Sequence, residues 1–144
     1  MGQVFAALDE RLGRKVALKV LRSDRAGEPR SAARLLREAQ ALARVAHPNV
    51  VQIYEVSEVD DLRFIAMEYI AGATLRSWLA ERPRRWREIV QLLLAAGRGL
   101  QAVHAVGLVH RDIKPDNIMI DADGRAQIVD LGLACDDPEA RARI

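Results

Sequence analysis

The sequence predicts an α+β, bilobal fold in which a small antiparallel sheet with one helix precedes a mostly helical part. Before residue 70, apolar residues recur at every second position in several segments, which is the period of a half-buried strand. After residue 74 the longest apolar pattern has helical spacing. The small residues at 71–73 separate the two patterns and predict a hinge. We therefore expect a small lobe at 1–70 and a large lobe at 71–144.

Four strands and one helix are predicted in the small lobe. In the second strand, Leu18 and Val20 lie on one face and Lys19 projects from the other. The polar stretch Ser23–Arg30 predicts a loop, and Ser31 is a suitable N-cap for the helix that follows. The predicted strands are Gln3–Leu8, Arg14–Leu21, Val50–Ser57 and Leu62–Tyr69, and the predicted helix is Ser31–Val45.

The large lobe is predicted to begin with a short and a long helix. The basic run Arg82–Arg87 between them is interpreted as a solvated helix start. The apolar stripe of the long helix comprises Ile89, Leu92, Leu93, Ala96, Leu100 and Val103. The predicted helices are Thr74–Glu81 and Trp86–Val106, and two short strands follow at Ile118–Ile120 and Gln127–Val129.

The composition argues against several classes of protein. With 22 basic and 20 acidic residues the net charge is +2, which argues against a general nucleic-acid binder. The single cysteine, Cys135, excludes an internal disulfide framework and fits a reducing compartment. No apolar stretch is long enough to span a bilayer, and no charged-then-apolar leader opens the chain. We expect a cytoplasmic protein, with any membrane attachment of the parent protein in segments outside this chain.

The most informative motif is the run from His110 to Asn117, followed by Asp130-Leu131-Gly132. It places a candidate proton acceptor, a phosphate-binding cation and two metal ligands at the spacing that phosphoryl transfer uses. Motif and context resemble the eukaryotic-like, or Hanks-type, serine/threonine protein kinases, with a bacterial member indicated by the residues around Met1. The resemblance covers nearly the whole chain, whereas a kinase domain has roughly 250 residues. We therefore expect the chain to hold a little over half of that fold.

The resemblance implies catalytic roles for residues of this motif. Asp112 would accept the proton of the substrate hydroxyl, and Lys114 would lie near the transferred phosphoryl group. The pair Lys114-Pro115 is typical of serine/threonine kinases. Asn117 and Asp130 would bind Mg²⁺ or Mn²⁺ through amide and carboxylate oxygens, which are the hard ligands that magnesium prefers.

A second motif, Val16-Ala17-Leu18-Lys19, resembles the kinase strand motif V-A-I-K. The resemblance implies that Lys19 contacts the α and β phosphates of ATP and forms an ion pair with Glu38 in the predicted helix. Only three lysines occur in the chain, and two of them fall where the kinase motifs have lysine. This placement supports the resemblance, because the ammonium of lysine and the planar guanidinium of arginine are not interchangeable.

The resemblance also implies a nucleotide cleft between the lobes. Apolar side chains would enclose the adenine, backbone groups near the hinge would hydrogen-bond it, and a threonine would stand where the family often places an acidic ribose contact. Met67 resembles the gatekeeper of this cleft. The residues implied to contact ATP are Gly2, Val4, Ala17, Lys19, Met67, Glu68, Ile70, Thr74 and Met119. The residues implied to stack between the lobes are Leu42, Ile53, His110 and Leu131.

The resemblance is incomplete at both ends. Of the glycine-rich loop only Gly2-Gln3-Val4 is present, so we expect the first strand to be missing, and the chain stops twelve residues after Gly132, within the activation segment. Arg111 implies binding of a phosphate on that segment, although residues 133–144 contain no Ser, Thr or Tyr. Leu131 replaces the Phe of D-F-G, a mild change because both side chains are apolar. We expect the isolated chain to bind nucleotide weakly or to be inert, and its long helix to expose an apolar stripe.

The resemblance implies ATP-dependent transfer of the γ-phosphoryl group to Ser and Thr hydroxyls of proteins, with Mg²⁺ or Mn²⁺ as cofactor and with self-association for autophosphorylation. The main alternative is a pseudokinase-like nucleotide-binding or regulatory module. Degenerate kinases usually lose one of the residues retained here, which are Lys19, Glu38, Asp112, Asn117 and Asp130. A small-molecule phosphotransferase is the second alternative, although such enzymes typically lack the arginine and the Lys-Pro step of this motif.

Overall fold

Two antiparallel sheets and a long helix organise the chain. A computed structural model describes residues 3–21, 39–59 and 62–130. The first sheet contains β1 (Gln3–Asp9), β2 (Arg14–Leu21), β3 (Ile53–Val59) and β4 (Leu62–Glu68). There follow β5 (Gly72–Thr74), α1 (Leu75–Glu81), α2 (Trp86–Ala105), a 3₁₀ helix (Pro115–Asn117), β6 (Ile118–Asp121) and β7 (Ala126–Ile128). The strand order is β1-β2-β4-β3 in the first sheet and β5-β6-β7 in the second.

β1 and β2 form a hairpin whose register pairs Val4 with Lys19. The Leu12 N–H donates a hydrogen bond to the Asp9 carboxylate at 3.2 Å, which closes the turn between the strands. Gly13 has a φ of +62°, a conformation that glycine adopts without steric cost. Both strands match their predicted ranges to within one residue.

The third predicted strand is wrong at its start, because β3 begins at Ile53 rather than at Val50. Val50 forms an isolated parallel bridge with Ile128 of β7. The Val51 N–H donates to the Ile128 carbonyl, and the Ile128 N–H donates to the Asn49 carbonyl, each at 2.9 Å. These residues therefore pair with the second sheet, which a local apolar pattern cannot reveal.

Residues 39–43 form the described part of the helix that the sequence predicts at Ser31–Val45, while residues 31–38 lie outside the described residues. Leu42 is buried, as its place in the predicted stripe requires. The Val45 N–H bonds to the Leu42 carbonyl at 2.9 Å, a three-residue spacing that is common in the last turn of a helix. The helix thus ends two residues earlier than predicted.

Two of the three small residues predicted as a hinge, Gly72 and Ala73, belong to β5, a strand that the sequence did not predict. Gly72 pairs with Asp121, and a Cβ at Gly72 would lie 2.0 Å from the Ile120 carbonyl oxygen. Glycine is needed because the two backbones approach so closely. The strand ends at Thr74, which is the N-cap of α1 and accepts a hydrogen bond from the Ser77 N–H at 3.1 Å.

α2 packs one face against the second sheet and exposes another. Ala96, Gly99 and Val103 are buried. Ala96 and Val103 belong to the apolar stripe that helical periodicity predicts. Leu93, which belongs to the predicted apolar stripe, is 48 % exposed. The large apolar side chains exposed on α2 are Trp86, Val90, Leu93 and Leu94. Within the described ranges, no helix combines the length and apolar character needed to cross a bilayer.

The run Arg82–Arg87 is mostly exposed, as its interpretation as a solvated helix start requires, but the Arg84 side chain is only 5 % exposed. Its guanidinium lies 3.8 Å from the centroid of the Trp78 ring and donates to the Trp78 carbonyl at 3.1 Å. The same group pairs with Glu81 at 2.5 Å. Arg84 therefore attaches the connection between α1 and α2 to α1.

Two glycines of α2 are expected to respond oppositely to alanine. A Cβ at Gly99 would lie 2.4 Å from the Asn49 carbonyl oxygen, whereas a Cβ at Gly97 would meet nothing within 4 Å. We expect Gly99→Ala to lower the free energy of unfolding by about 1–3 kcal/mol and Gly97→Ala to raise it by up to about 1 kcal/mol. Urea unfolding of the two variants measures both changes, and equal changes would contradict the close approach of α2 to Asn49.

Candidate active site

His110 is buried and fixes the backbone of Asp112. Its Nε2 lies 3.0 Å from the Val129 carbonyl oxygen, and its Nδ1 lies 3.3 Å from the Asp112 backbone nitrogen. Because a carbonyl only accepts and an N–H only donates, Nε2 carries the proton and Nδ1 accepts. The ring thus ties the candidate proton acceptor to the segment that precedes Asp130.

The Asp112 carboxylate is held by two side chains of its own loop. Lys114 Nζ lies 2.6 Å from Asp112 Oδ2, and Asn117 Nδ2 lies 2.9 Å from the same oxygen and 2.8 Å from the Asp112 carbonyl. The hydrogen bond from Lys114 lowers the pKa of Asp112 and also raises the pKa of Lys114. Asp112 is therefore an ionised carboxylate at neutral pH, with Oδ2 engaged and the side chain 41 % exposed.

Two residues of the site have a left-handed backbone conformation. φ is +64° at Arg111 and +56° at Asp130. For a non-glycine residue this backbone conformation is unfavourable by about 1–3 kcal/mol. Such conformations persist only where the surroundings hold them. The Val129 N–H donates to the Asn117 carbonyl at 3.0 Å and joins the two strained segments. The strain lies beside Asp112 and at Asp130, both of which the sequence predicts to be functional.

Lys19 forms an ion pair with Asp130 and thereby connects β2 with the end of the segment that follows β7. The Lys19 side chain is only 8 % exposed and the Asp130 side chain 43 %. The two residues were predicted to have separate roles, and their contact was not predicted because they lie 111 positions apart. The predicted partner Glu38 lies outside the described residues, so the Lys19–Glu38 pair stays a prediction.

Other residues of the implied nucleotide cleft lie on both sheets. Gly2 lies outside the described residues, Val4 is exposed on β1, and Met67 is buried on β4. The Thr74 hydroxyl donates to Ser77 Oγ at 3.1 Å in addition to capping α1, so a ribose contact would compete with the cap. The registers pair Ala17 with Met67 and Met119 with Thr74, while Ile70 is partly buried between the sheets.

Glu68 joins the two sheets through its carboxylate, a role that the sequence analysis missed. Its Oε2 accepts a hydrogen bond from Gln127 Nε2 at 2.9 Å, and its Oε1 lies 3.8 Å from Arg125. Its backbone N–H donates to the Gln52 carbonyl at 2.9 Å. Gln127 Oε1 is buried without a hydrogen-bond partner among the described residues. The residues next to Gln127 in the sequence give no indication that its side chain contacts Glu68 of β4.

The donors near the loop fit a magnesium ion that is completed by phosphate or water. Asn117 directs its amide nitrogen to Asp112, which leaves its Oδ1 to act as a ligand. Asp130 supplies a carboxylate. Within the described residues no group of three or more His, Cys, Asp or Glu side chains could hold a metal alone. An amide oxygen and a carboxylate, completed by phosphate oxygens and water, are typical ligands of magnesium.

Replacing Lys114 with alanine is expected to move the acid limb of the pH–activity profile to higher pH. Lys114 lowers the pKa of Asp112 by its hydrogen bond and by its charge. Without it, Asp112 would be protonated, and lost as a proton acceptor, at a higher pH than in the unaltered protein. The measurement is kcat/KM against pH, with Lys15→Ala on β2 as the control, and coincident acid limbs for all three proteins would contradict the prediction.

Comparison with models of protein families shows which family the chain belongs to. The family model described as the protein kinase domain matches residues 1–141. The chain belongs to the protein kinase family. This membership confirms the resemblance drawn from the catalytic motif and the predicted two-part kinase fold. Protein kinases as a family use ATP and a divalent metal ion.

Named bacterial relatives of this kinase chain are serine/threonine-protein kinases. It is 42 % identical over 138 residues to the probable serine/threonine-protein kinase PknA2 of Bifidobacterium longum, covering 93 % of this chain and 18 % of that protein. It is 39 % identical over 135 residues to PrkC of Bacillus subtilis, covering 93 % of this chain and 21 % of that protein. It is 39 % identical over 140 residues to PknA of Mycobacterium tuberculosis, covering 93 % of this chain and 32 % of that protein.

A solved kinase domain has the same fold. The kinase domain of Mycobacterium tuberculosis PknI superposes with a TM-score of 0.81 at 30 % identity, covering 99 % of this chain and 59 % of that one. This chain thus spans between about a fifth and a third of the curated relatives named above and over half of the solved domain.

The kinase chain contains one further contact at the catalytic loop that the sequence analysis missed. Arg76 of α1 forms two hydrogen bonds with Asp116, from Nε to Oδ1 at 2.7 Å and from the terminal nitrogen to Oδ2 at 2.8 Å. The residues are 40 positions apart, and neither belongs to a spacing that the motif requires. An arginine early in a helix and an aspartate in a turn are each common at the surface, so neither was distinctive by itself.

Proposed function

We propose that this chain carries the catalytic centre of a serine/threonine protein kinase that transfers the γ-phosphoryl group of ATP to Ser and Thr hydroxyls of proteins. The observation that carries the proposal is the state of Asp112. It is an ionised, half-exposed carboxylate with one oxygen engaged by Lys114 and Asn117. Within the part of the chain that the structure describes, no hydrogen bond occupies its other oxygen, Oδ1, which would receive the proton of a substrate.

In the proposed reaction, Asp112 Oδ1 accepts a hydrogen bond from the substrate hydroxyl and orients its oxygen toward the γ-phosphorus. A P–O bond then forms to that oxygen while the bond from the γ-phosphorus to the β,γ-bridging oxygen breaks. The hydroxyl proton passes to Asp112, and the bridging-oxygen electrons leave with ADP. Lys114, held 2.6 Å from Asp112, supplies positive charge beside the transferred group.

The remaining residues bind and orient the nucleotide in this proposal. Lys19 would exchange its contact with Asp130 for the α and β phosphates and for Glu38. Asn117 and Asp130 would hold Mg²⁺ or Mn²⁺, which neutralises phosphate charge when it is bound. The residues proposed to contact ATP are Gly2, Val4, Ala17, Lys19, Met67, Glu68, Ile70, Thr74 and Met119.

The relatives' names support a protein substrate, and the Lys114-Pro115 pair supports serine or threonine as the acceptor. Autophosphorylation through self-association belongs to the same proposal. We also propose a cytoplasmic location for the catalytic centre, consistent with the single cysteine.

The test is phosphoryl transfer by the protein at its natural length. It is incubated with Mg²⁺, radiolabelled ATP and a generic protein substrate, and the labelled amino acids are identified after hydrolysis. We expect phosphoserine and phosphothreonine in the protein substrate or in the kinase itself. Nucleotide binding without transfer would overturn the proposal in favour of a pseudokinase-like module, and transfer to aminoglycosides alone would indicate a small-molecule phosphotransferase.

A further inference from the structure

A bidentate ion pair joins α1 to the 3₁₀ turn inside the catalytic loop. Arg76 donates to both carboxylate oxygens of Asp116, at 2.7 and 2.8 Å, in the planar geometry that arginine offers to a carboxylate. We propose that Arg76 is a positioning residue, which holds the turn so that Asn117 and Lys114 keep Asp112 in place. The proposal rests on the proposed function for its catalytic consequence.

Arg76 projects from a firmly attached helix. Leu75, the preceding residue, is buried in the core, and Thr74 caps the first turn of α1. In the middle of α1, the ring and carbonyl of Trp78 contact Arg84, which also pairs with Glu81 at the last residue of the helix. The helix that carries Arg76 is therefore attached along its whole length.

Asp116 lies between the two residues that contact the Asp112 carboxylate. The Asn117 N–H donates to the Lys114 carbonyl at 2.9 Å, which closes the turn around Asp116. Asn117 Nδ2 then reaches both the carbonyl and the carboxylate of Asp112. Pro115 lacks an N–H and adds no hydrogen bond as a donor. A displacement of Asp116 would therefore be transmitted directly to Asn117 and Lys114.

The ion pair also shifts the pKa values of its two members. The hydrogen bonds from Arg76 lower the pKa of Asp116, and those to Asp116 raise the pKa of Arg76, so both remain charged across the physiological range. Arg76 thereby offsets the negative charge of Asp116, and this same charge raises the pKa of Lys114. The Arg76 side chain is 64 % exposed and the Asp116 side chain 40 %, and exposed ion pairs of this kind contribute little to stability. We therefore expect their effect in catalysis rather than in the melting temperature.

The experiment compares variants of the pair with a matched ion pair elsewhere. Arg63 pairs with Glu58 at 2.7 Å on β3 and β4, away from the catalytic loop, and Arg63→Ala removes the same side chain and charge. We expect Arg76→Ala to lower kcat about tenfold, with the KM for ATP and the melting temperature unchanged. Arg63→Ala should leave all three unchanged.

Four further measurements separate positioning from loss of charge. Arg76→Lys keeps the charge but not the two-point geometry, so it should restore kcat only in part. Asp116→Asn should match Arg76→Ala, and the double variant should be no worse than either, because the pair acts as one unit. Hydrogen exchange of the Asn117 amide, measured without substrate, should be faster in Arg76→Ala than in Arg63→Ala.

The outcomes distinguish this inference from the proposed function. If the unaltered protein transfers phosphate and Arg76→Ala matches Arg63→Ala in kcat, the positioning role is wrong and the proposed function stands. If the unaltered protein transfers no phosphate, the proposed function fails, and the exchange of the Asn117 amide decides the inference alone. Equal exchange in Arg76→Ala and Arg63→Ala would then overturn it, and faster exchange in Arg76→Ala would support it.

Discussion

Replacing Asp112 with asparagine is expected to lower kcat by about 10²–10⁴-fold, the range that a positioned general base contributes. Asparagine has nearly the same shape, so its side-chain oxygen can still accept from Lys114 or Asn117, which now contact Asp112 Oδ2. It cannot take up the proton of a substrate hydroxyl at neutral pH. The loss should therefore appear in kcat, while the dissociation constant for Mg²⁺–ATP stays within a few-fold of the unaltered value.

The control for this variant is Asp123→Asn, which makes the same chemical change in the exposed turn between β6 and β7. It should leave kcat unchanged. Single-turnover kinetics with saturating ATP measures the chemical step directly, and nucleotide binding is measured separately by calorimetry. A kcat for Asp112→Asn within tenfold of the unaltered protein would mean that Asp112 is not the proton acceptor.

Replacing Lys19 with methionine is expected to lower kcat/KM for ATP by about 10²–10³-fold, as removal of one preorganised electrostatic donor does. Lys19 is the buried cation of the site, and methionine fills the space of its methylene groups without the charge. Asp130 would lose its partner, but its half-exposed carboxylate would be solvated by water. We therefore expect the melting temperature to change little while nucleotide binding weakens.

The same β-strand supplies the control for Lys19→Met. Lys15 is exposed on β2, four residues away, and Lys15→Met removes an equal charge from the same strand. It should leave both kcat/KM and ATP binding unchanged. A loss that is equal in the two variants would mean that general charge, rather than a phosphate contact by Lys19, explains the effect.

The parts of the site that the sequence predicted are those that sit within a few residues of one another. Asp112, Lys114 and Asn117 belong to one turn, and the structure brings them into direct hydrogen-bond contact. The strands β1 and β2 were predicted within one residue because alternation along a hairpin is a local property. In each case the separation of the residues along the chain determines the distance between them in the fold.

The parts that the sequence could not predict depend on distant contacts. Lys19 and Asp130 meet across most of the chain, and Gln127 reaches Glu68 across 59 positions. β5 was missed because its small residues read as a link, and only the close approach of β6 explains why Gly72 is glycine. Leu93 fits the apolar period of α2 as well as its buried neighbours do, yet it is exposed. The division into lobes at residue 70, and the catalytic, nucleotide-binding and metal-binding roles of the site residues, stay predictions.

The pairing of Asn49 and Val51 with β7 has a consequence for the order in which the chain can fold as it is synthesised. Asn49 Nδ2 donates to the Ala126 carbonyl at 2.7 Å, 77 positions later, and the backbone of Val51 bonds to Ile128. On the ribosome, the hairpin of β1 and β2 can form early, because its partners are adjacent. The residues that lead into β3 must wait until β7 has been translated. In nascent chains the backbone groups of residues 49–51 therefore lack these partners while the 77 positions up to Ala126 are synthesised.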